Sequence, residues 1–320
     1  MSFNSTDFVL TGDINSPTYA AALGIEGVIG IIANVAVLLM TLYQRKSWNQ
    51  SSTIFFTSLL LSNLIIALWF LMSSIAVGAE EWIFGNTFEE KNATCLVVAY
   101  LIWNCSIITM MTLAAISFDR FLFIVKPHLH KRFMRPRVAL ILIIGVWLLC
   151  SLINTTPFYG FGVYGYYSPG GFCSPCYETS SSFYLLFLVV VYSIIYFIII
   201  FTSVWTFCFT RRFMQDQAEI VGNNVYQSRR KRLFGIFGYM LISYLIALLP
   251  SYIDGAISMF YYLPACVRLG FVVTYGSFII SNPIIQSYFR PEIVIIIKNL
   301  WNKVRNTSRS PDRNLNYIAN

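Results

Sequence analysis

The chain has 320 residues, of which 57% are apolar, 17% are aromatic and only 11% are charged. This composition leaves little room for a water-soluble domain and indicates a single membrane domain with short tails. The net charge of +8 does not indicate nucleic-acid binding, because the basic residues lie on alternating loops. Attraction to anionic membrane lipids accounts for it.

Seven apolar segments follow one another along the chain, and each is long enough to cross a hydrocarbon core of ~30 Å as a helix. They cover residues 20–43, 53–77, 96–118, 138–158, 182–209, 233–256 and 265–288. We therefore predict an all-α membrane protein, with a seven-transmembrane helix bundle at 20–288. No internal repeat is visible in the sequence, which disfavours a secondary transporter built from two similar halves.

Charge predicts the orientation of the bundle. Nearly all basic residues lie in the loops after the first, third and fifth segments and in the tail after the seventh, while the opposite side has only Lys91 and Arg268. The positive-inside rule therefore places the N-terminal tail, 1–19, outside and the C-terminus in the cytoplasm. The first segment follows a stretch without Lys or Arg, and we predict that it is a signal anchor that is not cleaved.

The region after the seventh segment divides into two parts. Residues 289–302 have apolar side chains at helical spacing, which predicts an amphipathic helix along the inner leaflet. Those side chains are Ile293, Ile296, Ile297, Leu300 and Trp301. Residues 303–320 are polar and predict a disordered cytoplasmic tail.

The outer side of the predicted bundle carries signals for covalent modification. Four of the seven cysteines lie there and are disulfide candidates, since that compartment is oxidising. They are Cys95, Cys173, Cys176 and Cys266. Asn4 and Asn92 lie in glycosylation sequons on the same side.

Nothing in the sequence predicts an enzyme. Its only histidines, His128 and His130, lie in an inner loop, where we expect solvated side chains. The sequence therefore predicts no metal site. It shows no nucleophile–base constellation either.

The third segment ends at the cytoplasmic boundary in two charged residues, Asp119 and Arg120, within the run Ala-Ala-Ile-Ser-Phe-Asp-Arg-Phe. Ionisable side chains cost ~2.5–3.5 kcal/mol to insert in a bilayer, so the pair indicates a functional site. The alternative is an interfacial ion pair with a snorkelling arginine. Further landmarks in the other segments are Asn34 in the first, Cys95 before the third, Trp147 and Pro157 in the fourth, Pro250 in the sixth, and Asn282 with Pro283 in the seventh.

Taken in order, these landmarks resemble those of the rhodopsin-like, or class A, G-protein-coupled receptors, over residues 20–302. Asp119-Arg120-Phe121 matches the family's Asp-Arg-Tyr motif, whose arginine turns from its acidic neighbour to meet a heterotrimeric G protein when the sixth segment swings outward. Pro250 kinks that segment and would be its pivot, a static kink being the alternative. The resemblance implies a multi-pass plasma-membrane receptor with an extracellular N-terminus and an unknown extracellular ligand.

Several positions depart from the family. Residues 229–232 are basic where an acidic partner for the arginine is common, so we expect appreciable basal activity. Asn63 replaces an aspartate, so the sodium pocket that it would form with Thr109 lacks its charge, and we expect weak modulation by sodium. Leu248 and Gln286 replace a tryptophan and a tyrosine of the activation relay. These changes leave open a receptor-like protein that has lost signalling; a transporter or channel is the other alternative.

The second outer loop has a narrower resemblance. Residues 167–176, Tyr-Ser-Pro-Gly-Gly-Phe-Cys-Ser-Pro-Cys, are similar to the Tyr-x-Pro-x-Gly run of the opsins. An opsin holds retinal as a Schiff base on a lysine of the seventh segment, but the matching position here is Gly276. The positions that match opsin counterions, Val98 and Gly170, are neutral. We therefore predict that there is no retinal Schiff base and no other cofactor.

The resemblance also implies a ligand pocket in the outer half of the bundle. Ile102 stands where amine receptors carry an aspartate, which disfavours an amine. Glu26 and Asp254 are the charges that remain, and either could be a hydrogen-bonded structural carboxylate. The predicted pocket residues are Ile102, Trp103, Ser106, Tyr252, Asp254 and Tyr275. Because the outer ends of the last two segments are aromatic, we expect a lipid-like, small neutral or peptide ligand.

The same alignment implies a disulfide between Cys95 and Cys176, which would hold the second outer loop over the pocket. Cys173 could then pair with Cys266. In the alternative pairing, Cys95 bonds to Cys173, and Cys176 could then pair with Cys266.

Overall fold

The computed structural model describes residues 8–43, 50–175, 182–221, 264–288 and 293–299, together with 249–250, 252–253, 256–257, 261 and 302. These residues are mainly helical. The helices are α1 (Ser16–Tyr43), α2 (Ser51–Gly78), α3 (Phe88–Val125), α4 (Pro127–Phe133), α5 (Pro136–Asn154), α6 (Ser182–Val221) and α7 (Ala265–Tyr288). A 3₁₀ turn (Thr156–Tyr159) and two strands, β1 (Tyr164–Tyr167) and β2 (Phe172–Pro175), lie between α5 and α6.

Six of the seven predicted spans correspond to helices in this part of the chain. The stretches that are long and apolar enough to cross a membrane are Ser16–Tyr43, Ser51–Gly78, Phe88–Val125, Pro136–Tyr159, Leu186–Phe213 and Ala265–Ile285. The fifth predicted span therefore lies in α6 and the seventh in α7. Most of the sixth, 233–256, falls outside the described residues, as do the tail 303–320 and Leu248. Within the predicted helix at 289–302, residues 293–299 and 302 are helical.

The helix bounds differ from the predicted spans where a helix leaves the apolar layer. Thr87 caps α3: its hydroxyl accepts from the Glu90 amide at 3.2 Å, and the Glu90 carboxylate accepts from the Thr87 amide at 3.4 Å. This reciprocal capping box starts α3 well before residue 96. By contrast, α5 ends at Asn154, because Pro157 cannot donate the hydrogen bond that a longer helix needs.

Helix α1 packs on α2 and α7, while α3 is central and contacts α2, α5 and α6. Glycines let α1 and α2 approach closely. A Cβ added to Gly27 would lie 2.8 Å from the Leu71 side chain, and one added to Gly30 would lie 3.2 Å from the Ala67 methyl group. The contact between α1 and α7 continues along this face, since the same Cβ on Gly30 would lie 3.7 Å from Ile279.

The chain before α1 lies across the outer end of the bundle. Val9 pairs with Glu81 in a β-bridge, and the Trp82 amide donates to the Phe8 carbonyl at 2.9 Å. The buried ring of Phe8 lies 5.4 Å from that of Phe88. On the same surface, burial raises the pKa of the Tyr166 phenol, and the Glu81 carboxylate raises it further. Both effects keep the phenol neutral to a higher pH than an ordinary tyrosine.

The second outer loop forms an antiparallel hairpin, with Tyr164 opposite Pro175 and Tyr167 opposite Phe172. Gly171 in its turn has φ +74°, a conformation that glycine adopts without strain. Gly170 is equally constrained, because an added Cβ would lie 2.6 Å from the Phe172 ring. The loop is thus an ordered cover on the bundle.

The disulfide joins Cys95 of α3 to Cys173 of β2, with a Cα–Cα distance of 5.4 Å. The predicted Cys95–Cys176 and Cys173–Cys266 bridges are therefore wrong, and the alternative partner of Cys95 is the observed one. The reason is the strand register, which turns Cys173 inward to a fully buried position at a distance suited to a disulfide. Cys266 is a free, exposed cysteine, and Cys176 lies outside the described residues.

Candidate functional site

The inner end of α3 is tied to two neighbouring helices through one carboxylate. Asp119 is only 4% exposed. Its Oδ1 accepts a hydrogen bond of 2.7 Å from Ser51 Oγ at the start of α2, and it lies 3.1 Å from His130 Nε2 on α4. A buried carboxylate needs such partners, because losing its hydration is unfavourable. Asp119 therefore joins α2, α3 and α4 at the inner boundary.

The rest of the motif faces α6. Arg120 is half-buried, next to the Asp119 cluster. Phe121 packs edge-on against Trp205 of α6, with ring centres 6.4 Å apart and planes at 90°. The motif thus lies between the inner ends of α2, α4 and α6, where a change in helix packing would alter its exposure.

Sequence reasoning missed two residues of this cluster. His130 was expected to be solvated, which is wrong: it is half-buried, faces Asp119 and lies 5.2 Å from the Phe123 ring. His128 is exposed, as predicted. Ser51 carried no signal of its own, because a serine at the start of a helix is more often a cap for that helix.

A buried layer of side-chain amides lies in the middle of the bundle. Asn34 Nδ2 donates to the carbonyls of Gly30 at 2.8 Å and of Ile279 at 3.2 Å, which joins α1 to α7. Asn63 Oδ1 accepts from Thr109 Oγ1 at 3.5 Å, and Asn282 is 2% exposed. With Asn63 in place of a carboxylate, this layer is polar and carries no charge.

Two prolines were predicted to lie within the sixth and seventh spans. Pro283 lies inside α7. Pro250 is helical and half-buried, but residue 251 and much of the sixth span lie outside the described residues. The predicted pivot at Pro250 remains a prediction. The Gln286 side chain is not described.

The predicted pocket joins α3 to α7. The Tyr275 hydroxyl donates to Ser106 Oγ at 3.1 Å, and Ser106 Oγ donates to the Ile102 carbonyl at 2.8 Å. Ile102 is buried at 7% exposure. The hydroxyl pair thus lies one turn deeper than the isoleucine that replaces the amine-receptor aspartate.

Helix α6 contacts the predicted pocket residues from the opposite side. The Trp103 ring lies 6.2 Å from that of Tyr192. Tyr252 shares a hydrogen bond of 2.7 Å with Ser193, and its ring lies 5.1 Å from Tyr196. The structure therefore gathers the predicted pocket residues between α3, α6, α7 and the sixth span, except Asp254, which lies outside the described residues.

The hairpin contacts this region through side chains that were not predicted to line the pocket. Trp69 of α2 donates from Nε1 to the Cys173 carbonyl at 3.3 Å and packs edge-on against Phe172, with ring centres 5.4 Å apart. The Arg268 guanidinium lies 5.1 Å from the centre of the Tyr167 ring, a cation–π contact. Val98, beneath the hairpin, is buried.

The Glu26 side chain lies against Gly276, the residue that matches the opsin lysine. A Cβ added to Gly276 would lie 2.1 Å from Glu26 Oε2 of α1 and 2.9 Å from the Phe70 ring. The space where a lysine side chain would leave the backbone is therefore filled by a carboxylate. These residues do not fit a covalently bound retinal.

The two glycosylation candidates are placed differently. Asn92 is exposed in the first turns of α3, where a modifying enzyme could reach it. Asn4 lies outside the described residues. Glycosylation at both sites stays a prediction.

Comparison with known proteins places this geometry in a family. The sequence profile of the family described as 7 transmembrane receptor (rhodopsin family) matches residues 33–291. A rhodopsin named as Gq-coupled from Mizuhopecten yessoensis is 30% identical over 173 residues, 52% of this chain and 33% of that protein. A muscarinic acetylcholine receptor of Caenorhabditis elegans is 27% identical over 139 residues, 43% of this chain and 21% of that protein.

The fold agrees with a solved structure. The crystal structure of squid rhodopsin superposes with a TM-score of 0.75 at 22% identity, over 95% of this chain and 91% of that chain. The predicted seven-transmembrane helix bundle is therefore confirmed. The chain spans only about a third of the length of the Gq-coupled rhodopsin that it matches. Because the profile covers most of the chain, this protein belongs to the rhodopsin family of seven-transmembrane receptors.

Proposed function

We propose that this protein carries an extracellular signal to a heterotrimeric G protein. Its relatives include rhodopsins named as Gq-coupled and G0-coupled, which supports coupling in general. The excess of basic residues on one side supports a plasma-membrane orientation with the N-terminus extracellular and the coupling face in the cytoplasm. The protein transmits the signal through its conformation and catalyses no covalent reaction.

The observation that carries this proposal is the arrangement around Asp119. Its contacts with Ser51 and His130 hold the inner end of α3 against α2 and α4. Arg120, the next residue, is then positioned at the inner surface beside Phe121 and α6. Rearrangement of these helices would change the exposure of the Arg120 side chain to the cytoplasm. In this family, the arginine turns from its acidic neighbour to meet the G protein.

The predicted pocket residues between α3, α6 and α7 support a diffusible ligand. Most of the side chains there are aromatic, and the hydroxyl pair of Tyr275 and Ser106 would be a hydrogen-bonding site. The lack of space at Gly276 supports a receptor without covalent retinal. An apolar or amphipathic ligand, lipid-like, small or a peptide end, suits these side chains.

Basal activity tests the proposal directly. The receptor should accelerate nucleotide exchange on at least one member of a Gα panel without any added ligand, because residues 229–232 are basic and offer no acidic partner to Arg120. The measurement compares membranes from expressing and mock-transfected cells at known receptor density. Equal exchange rates across the panel would contradict basal activity and favour the receptor-like protein that has lost signalling.

The Ser51 contact supplies a second test. Ser51→Ala should raise basal exchange roughly two- to tenfold, because removing a hydrogen bond of ~0.5–1.5 kcal/mol weakens the resting arrangement around Asp119. Thr57→Ala is the matched control. It also removes a hydroxyl from α2, but that hydroxyl donates to the Thr53 carbonyl within the same helix. Equal basal rates for the two variants would remove Ser51 from the mechanism.

A further inference from the structure

In the part of the chain that the structure describes, one oxygen of the Glu26 carboxylate lies inside the bundle without a hydrogen-bond partner. Among the described residues, Oε2 is buried and accepts no hydrogen bond. The side chain as a whole is half-buried, so part of it remains accessible. An unpaired carboxylate in a membrane domain is unfavourable, and such groups are found with a partner or in a functional site.

The chain's own outer-side cations are engaged elsewhere. Lys91 and Arg268 are the basic residues on that side. Lys91 forms an ion pair with Glu81, and Arg268 lies over the Tyr167 ring. Within the described part of the chain, neither of these two cations is placed to pair with Glu26, which leaves the carboxylate open to a cation from a ligand.

The surroundings of Glu26 suit one class of ligand. Gly276 gives the carboxylate space against α7, and the Phe70 ring lies at the same point. Tyr19, about two turns earlier on the same face of α1, is buried, and its hydroxyl also lacks a hydrogen-bond partner among the described residues. The site thus combines a carboxyl group, a tyrosine hydroxyl and aromatic walls.

We propose that Glu26, seated against Gly276, is the anchor for the protonated amine of an amphipathic ligand whose apolar body lies against the aromatic pocket. The missing aspartate at Ile102 removes the usual site for an amine on α3, and Glu26 supplies a carboxylate on α1. This inference refines the ligand class of the proposed receptor and rests on that function. Binding itself can be measured without a G protein, so that failure of one proposal is distinguishable from failure of the other.

The test is direct binding to the purified receptor in lipid nanodiscs, read from the shift of its thermal unfolding midpoint. The probes are an arylalkylamine series that begins with phenethylamine, each compared with its uncharged N-acetyl derivative. At least one amine should stabilise the wild-type protein, and its N-acetyl derivative should not. Glu26→Gln should weaken binding of that amine about ten- to hundredfold, because a hydrogen bond to a charged group is lost.

Two further variants separate the anchor from a general effect of charge. Glu89→Gln removes an exposed outer carboxylate and should bind the amine as the wild-type protein does. Gly276→Ala should weaken binding, because the added methyl group would overlap the Glu26 carboxylate. If one variant fails to fold, the other still decides the question. Equal binding of amines and N-acetyl derivatives, no binding of any amine, or an unchanged affinity in Glu26→Gln would each overturn the proposal.

Discussion

Arg120→Ala is expected to reduce ligand-free nucleotide exchange on the responsive Gα to the rate seen with mock-transfected membranes. Arg120 matches the arginine that meets the G protein in this family, and the structure places it half-buried at the inner end of α3, beside the tethered Asp119. Substitution by alanine removes the positive charge and the long side chain that would contact the G protein. The experiment measures exchange at matched surface expression.

Arg137→Ala is the matched control for this prediction. Arg137 is an exposed arginine near the start of α5 on the same side of the membrane. Its loss should lower exchange modestly, since it contributes to the general positive charge of the inner face. Similar rates for the two variants would show that bulk charge, and not the position of Arg120, drives coupling.

Cys173→Ser is expected to destabilise the receptor strongly. The disulfide links residues 78 positions apart, and breaking a bond that closes so long a loop costs roughly 2–5 kcal/mol. It would also free β2 from α3 at the outer end. We expect a lower thermal unfolding midpoint in nanodiscs and a large fall in surface expression, with Cys95→Ser giving the same result.

Cys176→Ser provides the control that separates the two possible pairings. This variant should keep a thermal unfolding midpoint and a surface expression near the wild-type values, because Cys173 is the partner of Cys95. The double variant Cys95→Ser/Cys173→Ser should be no worse than either single change, since both remove one bond. Strong destabilisation by Cys176→Ser, together with a small effect of Cys173→Ser, would instead support the Cys95–Cys176 pairing.

The membrane architecture was predictable because the bilayer constrains each span locally. An apolar run of sufficient length is visible without knowledge of its neighbours, and six predicted spans coincide with helices of the structure. The ends were less accurate. Hydropathy detects where a chain is apolar, whereas the capping box at Thr87 and Pro157 decide where α3 begins and α5 ends.

The candidate functional residues also divide into those that were visible in the sequence and those that were not. Asp119-Arg120-Phe121 was visible because its members are adjacent in sequence and stand at the end of a span. Ser51 and His130 were not, since each becomes significant only by contact with Asp119. The cysteine on the outer loop illustrates the limit: the alignment favoured Cys176 as the partner of Cys95, whereas the bond is to Cys173, three residues earlier.

The sequence by itself determined the seven-helix bundle and the family, and it predicted the orientation of the bundle and the position of a coupling motif, because these depend on composition, charge and order along the chain. Only the tertiary structure decided the pairings: Cys95 with Cys173, Ser51 and His130 with Asp119, and Glu26 with Gly276. Each joins residues far apart in sequence, and their contact depends on strand register and helix packing. Those are set by the close packing of the bundle as a whole, which no local pattern encodes.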